Sequence, residues 1–550
     1  MNYISIDNKM SIRLSGLQSY QFGDIEIYVD GLLYVYGKKA GAETVEWLFE
    51  RFHSEGIIPF EELRGAYSCI IKEKDRITAF SDNSNMHCLY YTDNMLSNSF
   101  LRLVENEVIS DEEPCFDLEA ICEYLTLGNV FFDKTFFSSI HILPSTKLAL
   151  IKNNKIMILQ KQIEDIDAPS KVGSINDFFD KVAFSLSEMR VCQALTGGYD
   201  SRVVYACLSK RIKDHPAISA GTTNNNEVKC AQKVAAANQD SLEIIRVEKP
   251  VFCEDLIEEL FEKNDGIIPL DIDGDIRLLK FKTTLAKDYN IHLSGDGGAV
   301  HKDREWSQDF PFFRKKKSNS KQFYKQRLYY LRIDDHIGVI LKSVFSGQAQ
   351  RFEKQLDSIS KSINTQSYDS WYYRCSGNRR INYNCNPVNG LTSYAPLNEI
   401  DIVRYSYALP RWKRFFCNSY RDTITNENKR VARVKTIYDT NASSEWLYIL
   451  MDVFFQSIEY FRKAIRMIGR SVFNVNVLNA GVLDWSMEEE IRDSDIAARA
   501  IKYAKENGFI GSELTMDTLS YSEMQRIIHI YCLYCFVSDS EKNRAEQNAR

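Results

Sequence analysis

At 550 residues the chain has room for two to four domains of about 100 to 200 residues each, with a sizeable core. A composition of 44% hydrophobic and 26% charged residues, with 11 Pro and 25 Gly, excludes collagen-like, disordered and disulfide-scaffold chains. The 69 Lys and Arg against 75 Asp and Glu leave a net charge of -6, so nothing global draws the chain to nucleic acid or to an anionic membrane.

From Tyr3 to about Ile163, short alternating segments such as DIEIYVDGLLYVYG and AYSCIIKEKDRITAFSD are separated by turn signals, which predicts an antiparallel β-rich domain over 1–163. One helix interrupts it at Ala42 to Ser54, where Val45, Leu48, Phe49 and Phe52 share a face. The polar stretch EDIDAPSKVG, 164–173, marks a boundary. Beyond it, helices alternate with short apolar strands: helix Ser174 to Met189, strand Val191 to Leu195, helix Ser201 to Ile212, strand Ala217 to Ala220 and helix Glu227 to Asn238. Strand Leu242 to Val247, helices Glu254 to Asn264 and Ile276 to Tyr289, and strand Ile291 to Leu293 follow. This pattern predicts an α/β domain over 174–440 with a doubly wound parallel sheet. Ligands in such sheets bind beyond the carboxyl ends of the strands, here just after Leu195, Ala220 and Leu293.

From about residue 325 the pattern becomes mostly helical, and 441–550 reads as a helical carboxy-terminal extension over the α/β core. The most apolar run, Ile527 to Val537, is too short for a membrane span of about 20 residues and predicts a buried helix. The only CxxC, Cys532 and Cys535, lies inside that run and reads as packed thiols, not as a zinc or redox pair. Thirteen cysteines and no signal-peptide pattern over Met1 to Gly16 predict a reducing, cytoplasmic setting.

Two segments carry chemistry. Strand residue Leu195 runs into Thr196, Gly197, Gly198, Tyr199, Asp200, Ser201 and Arg202, then into a helical pattern. The glycines permit a tight turn that presents backbone N–H groups to an anion, and the helix start adds partial positive charge. Thr196 and Ser201 can donate to phosphate oxygens, whereas Asp200 belongs beside an anion only if a cation lies between them. A plain strand-to-helix turn capped by Asp200 or Ser201 is the structural alternative. The second segment, Ser294, Gly295, Asp296, Gly297 and Gly298, repeats the arrangement after another strand, so the two loops can enclose one nucleotide.

With TGGYDS at 196–201 and SGDGG at 294–298, the sequence resembles the asparagine synthetase family, whose synthetase domain has an ATP pyrophosphatase fold. LRGAYSCI at 63–70, SDNSNMHCLYY at 81–91 and DLEAICEYLTLG followed by SIHILPS resemble its amino-terminal amidotransferase domain. SYAPLNEIDIVRYSYALP at 393–410 resembles its substrate-side stretch. The resemblance implies that a carboxylate attacks the α-phosphate of ATP, releasing pyrophosphate and leaving an acyl-adenylate for an amine. It implies that Thr196, Gly197, Gly198, Asp200 and Ser201 hold pyrophosphate, with Asp200 on magnesium. Leu195, Ala220, Ser294 and Gly295 would line the adenosine pocket, Lys435 in ARVKT would stabilise the intermediate, and Asp296 would orient or deprotonate the amine. An ordinary surface lysine and a turn-capping aspartate are the competing readings of Lys435 and Asp296.

Two departures refine this. Glutamine-dependent members use a cysteine at position 2, where this chain has Asn2; its first cysteine is Cys69, and the family's NGE stretch is replaced by Asp30, Gly31 and Leu32. The expectation is an amidotransferase-like domain without glutaminase activity, with the amine supplied as free ammonia or by the substrate, as in β-lactam synthetases and lasso peptide cyclases. The acidic family position that shares magnesium falls at Ala299, with Val300 after it. Asp296, or an acidic residue of DIDGD at 271–275, would have to replace it; otherwise the chain is an inactive nucleotide-binding or scaffold homologue. The expected partners are a carboxylate-bearing small molecule or peptide and a protein of the same pathway, with no nucleic acid or membrane. The run Arg314 to Lys317 with Lys321 reads as a solvated loop, with a grip on an acidic substrate as the alternative. Cys192 and Cys207 read as core residues, which argues against sulfur transfer.

Overall fold

In the computed structural model the period-two alternation of the first third of the chain becomes two antiparallel sheets. The structure describes residues 3–15, 17–109, 115–298, 301, 336–359, 373, 384, 385, 387–414, 417–437, 439–455, 457, 458, 461 and 485–549. Asn2, Ala299, Val300 and the basic residues 314–317 and 321 lie outside them.

One sheet has the order β2-β1-β8-β7-β9, from Ile12–Ser15, Tyr3–Asp7, Met95–Ser97, Leu89–Tyr91 and His141–Leu143. The other has the order β11-β10-β6-β5-β4-β3, from Lys155–Gln160, Lys147–Lys152, Ile77–Ser81, Arg64–Lys72, Ile25–Tyr34 and Gln18–Phe22. Helix α1, Ala42–Glu55, lays Val45, Leu48 and Phe52 on the second sheet and stops at Gly56, whose φ of 67° few other residues tolerate. Helices α2, Phe100–Ile109, and α3, Leu118–Leu127, lie behind the first sheet.

The later sheet is parallel, in the order β14-β13-β12-β15-β16, from Leu242–Ile245, Ala217–Ala220, Val191–Ala194, Ile291–Leu293 and Thr392–Tyr394. Val191, Ala217 and Leu293 face α4, Ile175–Leu186, and α5, Asp200–Leu208. Cys192, Ile218 and Ile245 face the opposite way, onto Phe281 and Leu285 of α8, Ile272–Leu285. Helices α6, Asn226–Ala237, and α7, Glu254–Lys263, complete the crossovers. Helix α8 starts four residues earlier than its apolar periodicity suggests, because Asp271 accepts from the Gly274 N–H and Asp275 from the Asp271 N–H.

The carboxy-terminal helices Asp495–Glu506 and Tyr521–Ala549 do not rest on the α/β sheet alone. They share one core with α2, α3 and α7, in which Ile527, Ile528, Ile530 and Leu533 are buried beside Leu103, Ile121 and Leu260. Cys532 is buried there as well.

A buried polar junction joins the amino-terminal sheets to the parallel sheet. Arg64 on β5 places Nε and Nη2 at 2.7 and 2.6 Å from one carboxylate oxygen of Asp401. Glu399 accepts from the Gly65 N–H at 2.9 Å and from the Tyr394 hydroxyl at 3.2 Å, and the Tyr34 and Tyr394 hydroxyls are 2.8 Å apart. Gly65 is required here: at φ +111° a Cβ would stand 2.0 Å from the Leu32 carbonyl oxygen. Truncating one member of a fully buried pair strands the other charge. Arg64→Met is therefore expected to lower the unfolding free energy in urea by about 3–5 kcal/mol, with Arg64→Met/Asp401→Leu recovering part of the loss.

Burial raises the carboxyls of Glu399 and of Asp265, which accepts from the Ser99 hydroxyl and the Phe100 N–H, to about 7 each. Between their unfolded and folded values, such groups hold protons in the folded chain that the unfolded chain has released, so stability falls as the pH rises through 7. Buried His87 and His529, lowered to about 4, act oppositely below the ordinary histidine value of about 6.5. Stability is expected to drop by about 1 kcal/mol per carboxyl from pH ~6.5 to pH ~8. Urea midpoints across that range would show it, and Glu399→Gln should remove about half of the slope.

Candidate functional site

The strand order fixes where a ligand can enter. From β12 the chain winds outward through β13 and β14, then returns to lay β15 on the other side of β12. The switch point therefore lies between β12 and β15, and the loops leaving these two strands are the two glycine-rich segments. The strand register pairs Ala194 with Ile218 and Gln193 with Leu293, so Ala220 and Gly295 each follow a last paired residue by two positions.

The first loop is held from within. The Thr196 N–H donates to Ser201 Oγ at 3.0 Å, the two hydroxyls are 2.9 Å apart, and the Gly198 N–H approaches Thr196 Oγ1 at 3.4 Å. Gly197 is enclosed: a Cβ there would lie 2.2 Å from Ile437 and 3.1 Å from Cys230, and its carbonyl accepts from the Ile437 N–H at 3.2 Å. Gly198 is open, its nearest contact for an added Cβ being 3.7 Å away. Asp200 and Ser201 form the first turn of α5, so that helix start lies against the loop. The Leu195 side chain is fully buried in the core.

The second loop packs directly on the first. A Cβ on Gly295 would lie 2.5 Å from the Ser201 backbone nitrogen, and one on Gly298 would lie 2.3 Å from the Asp200 carboxylate. The loops therefore touch at Asp200 and Ser201. Gly297, at φ +82°, passes the Asn398 backbone, where a Cβ would meet atoms at 2.9 Å or less. Ser294 Oγ donates to Asp296 Oδ2 at 3.0 Å, and Asn384 Nδ2 reaches the same oxygen at 3.0 Å, which orients the Asp296 carboxylate. Buried Lys282 on α8 lies in the field of Asp296 and of Cys385, and burial lowers its ammonium to about 8.

Lys435 reaches the site through its backbone. Its carbonyl accepts from Arg202 Nη2 at 3.2 Å and from the Cys230 thiol at 3.0 Å, so buried Arg202 of α5 ties this segment to the first loop. The Lys435 side chain is 58% exposed, stands 3.8 Å from Asp439 and lies over the Phe455 ring.

Structure and sequence part company at DIDGD. Asp273 accepts from Ser486 Oγ at 2.7 Å, from the Met487 N–H at 2.8 Å and from the Tyr521 hydroxyl at 3.2 Å. Asp275 accepts from Asn264 Nδ2 at 2.7 Å. These carboxylates hold the start of α8 and the carboxy-terminal segments together. Among the described residues no three His, Cys, Asp or Glu side chains cluster as a metal site.

Several supporting residues escape the sequence reading. Gln193, in the middle of β12, donates to the Ser201 carbonyl at 2.9 Å from a fully buried position. A polar residue between two apolar ones in a central strand was its one local signal. Tyr199 is buried, donates to Asn441 O at 2.6 Å, lies 2.9 Å from the Thr440 hydroxyl, and accepts from Arg421 Nη2 at 2.8 Å. These partners lie more than 200 residues away and leave no local mark. Cys192 and Cys207 are buried, and burial raises both thiols.

No curated protein matches the chain. Residues 182–326 match the family model of asparagine synthase, and both glycine loops fall inside that segment.

Proposed function

We propose that the protein is an ATP-dependent, AMP-forming ligase that adenylates a substrate carboxylate and condenses it with an amine that does not come from glutamine. The observation that carries this reading is the meeting of two glycine loops at the switch point, with Asp200 packed beneath Gly298 and Gly295 against Ser201. The asparagine synthase match over 182–326 supports ATP as the nucleotide and amide formation as the reaction class.

The cradle fits a polyphosphate. It offers backbone N–H groups at Gly197 and Gly198, two hydroxyls at Thr196 and Ser201, and a helix start, with space at Gly198 where a side chain would intrude. Magnesium commonly takes only one or two carboxylates besides phosphate oxygens, so Asp200 suffices as its protein ligand, and the ion would neutralise charge on the departing pyrophosphate. A carboxylate oxygen of the substrate attacks the α-phosphorus, the bond to the β-phosphate bridge breaks, and pyrophosphate leaves into the N–H and hydroxyl groups of the first loop. The amine then attacks the activated carbonyl, AMP departs, and the amine proton passes to the Asp296 carboxylate, held in orientation by Ser294 and Asn384. Lys435, tied to the first loop by its carbonyl, would turn its exposed side chain inward to supply positive charge to the intermediate. Leu195, Ala220, Ser294 and Gly295 border the adenosine side.

The amino-terminal domain acts in this reading as support without glutaminase chemistry. Asp30 and Gly31 lie inside β4; Asp30 accepts from Asn98 Nδ2 at 2.8 Å, and a Cβ on Gly31 would lie 2.3 Å from the Ala66 carbonyl oxygen. An amine carried by the substrate itself would make the product a ring, as in peptide or lactam cyclisation. A second reading, a nucleotide-binding scaffold without turnover, is favoured by one observation: the acidic residues of 271–275 are committed to structure.

Titration calorimetry with ATP and magnesium is expected to show binding that falls at least about tenfold in both Gly198→Ala and Gly295→Ala, with the thermal midpoint lowered only in Gly295→Ala, whose added methyl would clash with Ser201. With a competent carboxylate substrate, AMP and pyrophosphate should form, and Asp200→Ala should reduce both by about 100-fold or more. Formation of ADP would overturn the adenylation chemistry, and ATP binding without turnover on any carboxylate–amine pair would favour the scaffold.

A further inference from the structure

Helical residues 446–455, continued by 457, 458 and 461, have inverted polarity. The inward side carries a charge: Asp452 is 2% exposed, pairs with Arg421 Nη1 at 2.5 Å and accepts from the Asn441 N–H at 2.8 Å. The outward side is apolar, with Trp446 67%, Leu450 59%, Phe454 64% and Phe461 67% exposed, and with Leu447, Met451, Val453 and Ile458 on the same arc. Among the described residues nothing covers these aromatic side chains, although the same helix encloses a carboxylate.

We infer that this face is the contact between two copies of the chain, packed antiparallel about a twofold axis near residues 453 and 454. Taking about 150–250 Å² for a large side chain, the exposed fractions amount to roughly 800 Å². The largest apolar patch on a typical monomer is about 300–600 Å², whereas one side of a stable interface needs about 800 Å². The face is also self-complementary. An antiparallel twofold brings Trp446 of one copy opposite Phe461 of the other and Val453 opposite Phe454, as an isologous contact requires. A net charge of -6 disfavours an anionic lipid surface as the occupant. The inference rests on the exposed face alone, so its test does not depend on turnover.

Sedimentation velocity of the full chain at micromolar concentration should show a dimer. Phe454→Glu and Phe454→Lys should each weaken it by at least about 100-fold while keeping the thermal midpoint of the parent. Because residue 454 lies near the axis, mixing the two variants should restore a heterodimer through the opposed charges, which a misfolded variant could not do. A parent chain that stays monomeric would overturn the inference, and so would a dimer indifferent to either variant. A monomer that instead co-floats with anionic phosphatidylserine vesicles would overturn it in favour of a lipid surface.

Discussion

The position of the second glycine loop depends on a buried ion pair, Arg64 with Asp401, whose two members lie far from it on either side in the chain. Strand β16 lies on the sheet beside β15, and the segment after it, 396–404, is clamped to the amino-terminal sheets by Arg64 with Asp401 and by Glu399 with the Gly65 N–H. Arg404 adds a bidentate contact to Glu61 at 2.8 and 3.0 Å. Gly297 in turn passes the Asn398 backbone with no space for a side chain. The loop that would meet the nucleotide is thus set from behind by a segment whose own place is fixed by the amino-terminal domain. A β-rich domain without chemistry of its own would still be retained, because removing it would strand Glu399 and Asp401 without their partners.

The two loops follow a common rule: close approach where glycine is obligatory, open space where a ligand is expected. Gly197, Gly295 and Gly298 each abut a neighbouring element, and Gly198 alone of the four leaves its Cβ direction clear. In the first loop the backbone is therefore fixed before any ligand arrives, so its N–H groups need little reorganisation to receive an anion. The inward hydrogen bonds of Thr196 and Ser201 serve the same end, because each hydroxyl is oriented by the other.

Local pattern made much of this legible. The switch from period two to period 3.6 near residue 170, the strands ending at 194 and 293, and the glycines after them all reflect constraints that act within a few residues. What stayed hidden are contacts between residues far apart in the chain. DIDGD has the composition of a cation site, yet Asp273 caps Met487, 214 residues away, and nothing near 273 announces it. Gln193 and Arg202 were hidden for a related reason: their function is to hold a backbone carbonyl, at Ser201 and at Lys435, and any residue type can supply a carbonyl.

One chain of contacts links the first loop to the outward apolar helix. Tyr199, inside the loop, accepts from Arg421; Arg421 pairs with Asp452; and Asp452 sits on the reverse side of the face that carries Leu450 and Phe454. A buried pair of this kind adds little net stability over an apolar substitute, but it is intolerant of displacement, since moving either partner exposes an unpaired charge to a low-dielectric interior. The helix is therefore registered to the loop more strictly than apolar packing alone would require. Lys435 lies at the margin of the same helix, over Phe455, while its carbonyl is held by Arg202. Covering the apolar face would bring a second body to within one side chain of the candidate catalytic lysine without touching the phosphate cradle. Surface and site would then be coupled through position, with no conformational change required of either loop.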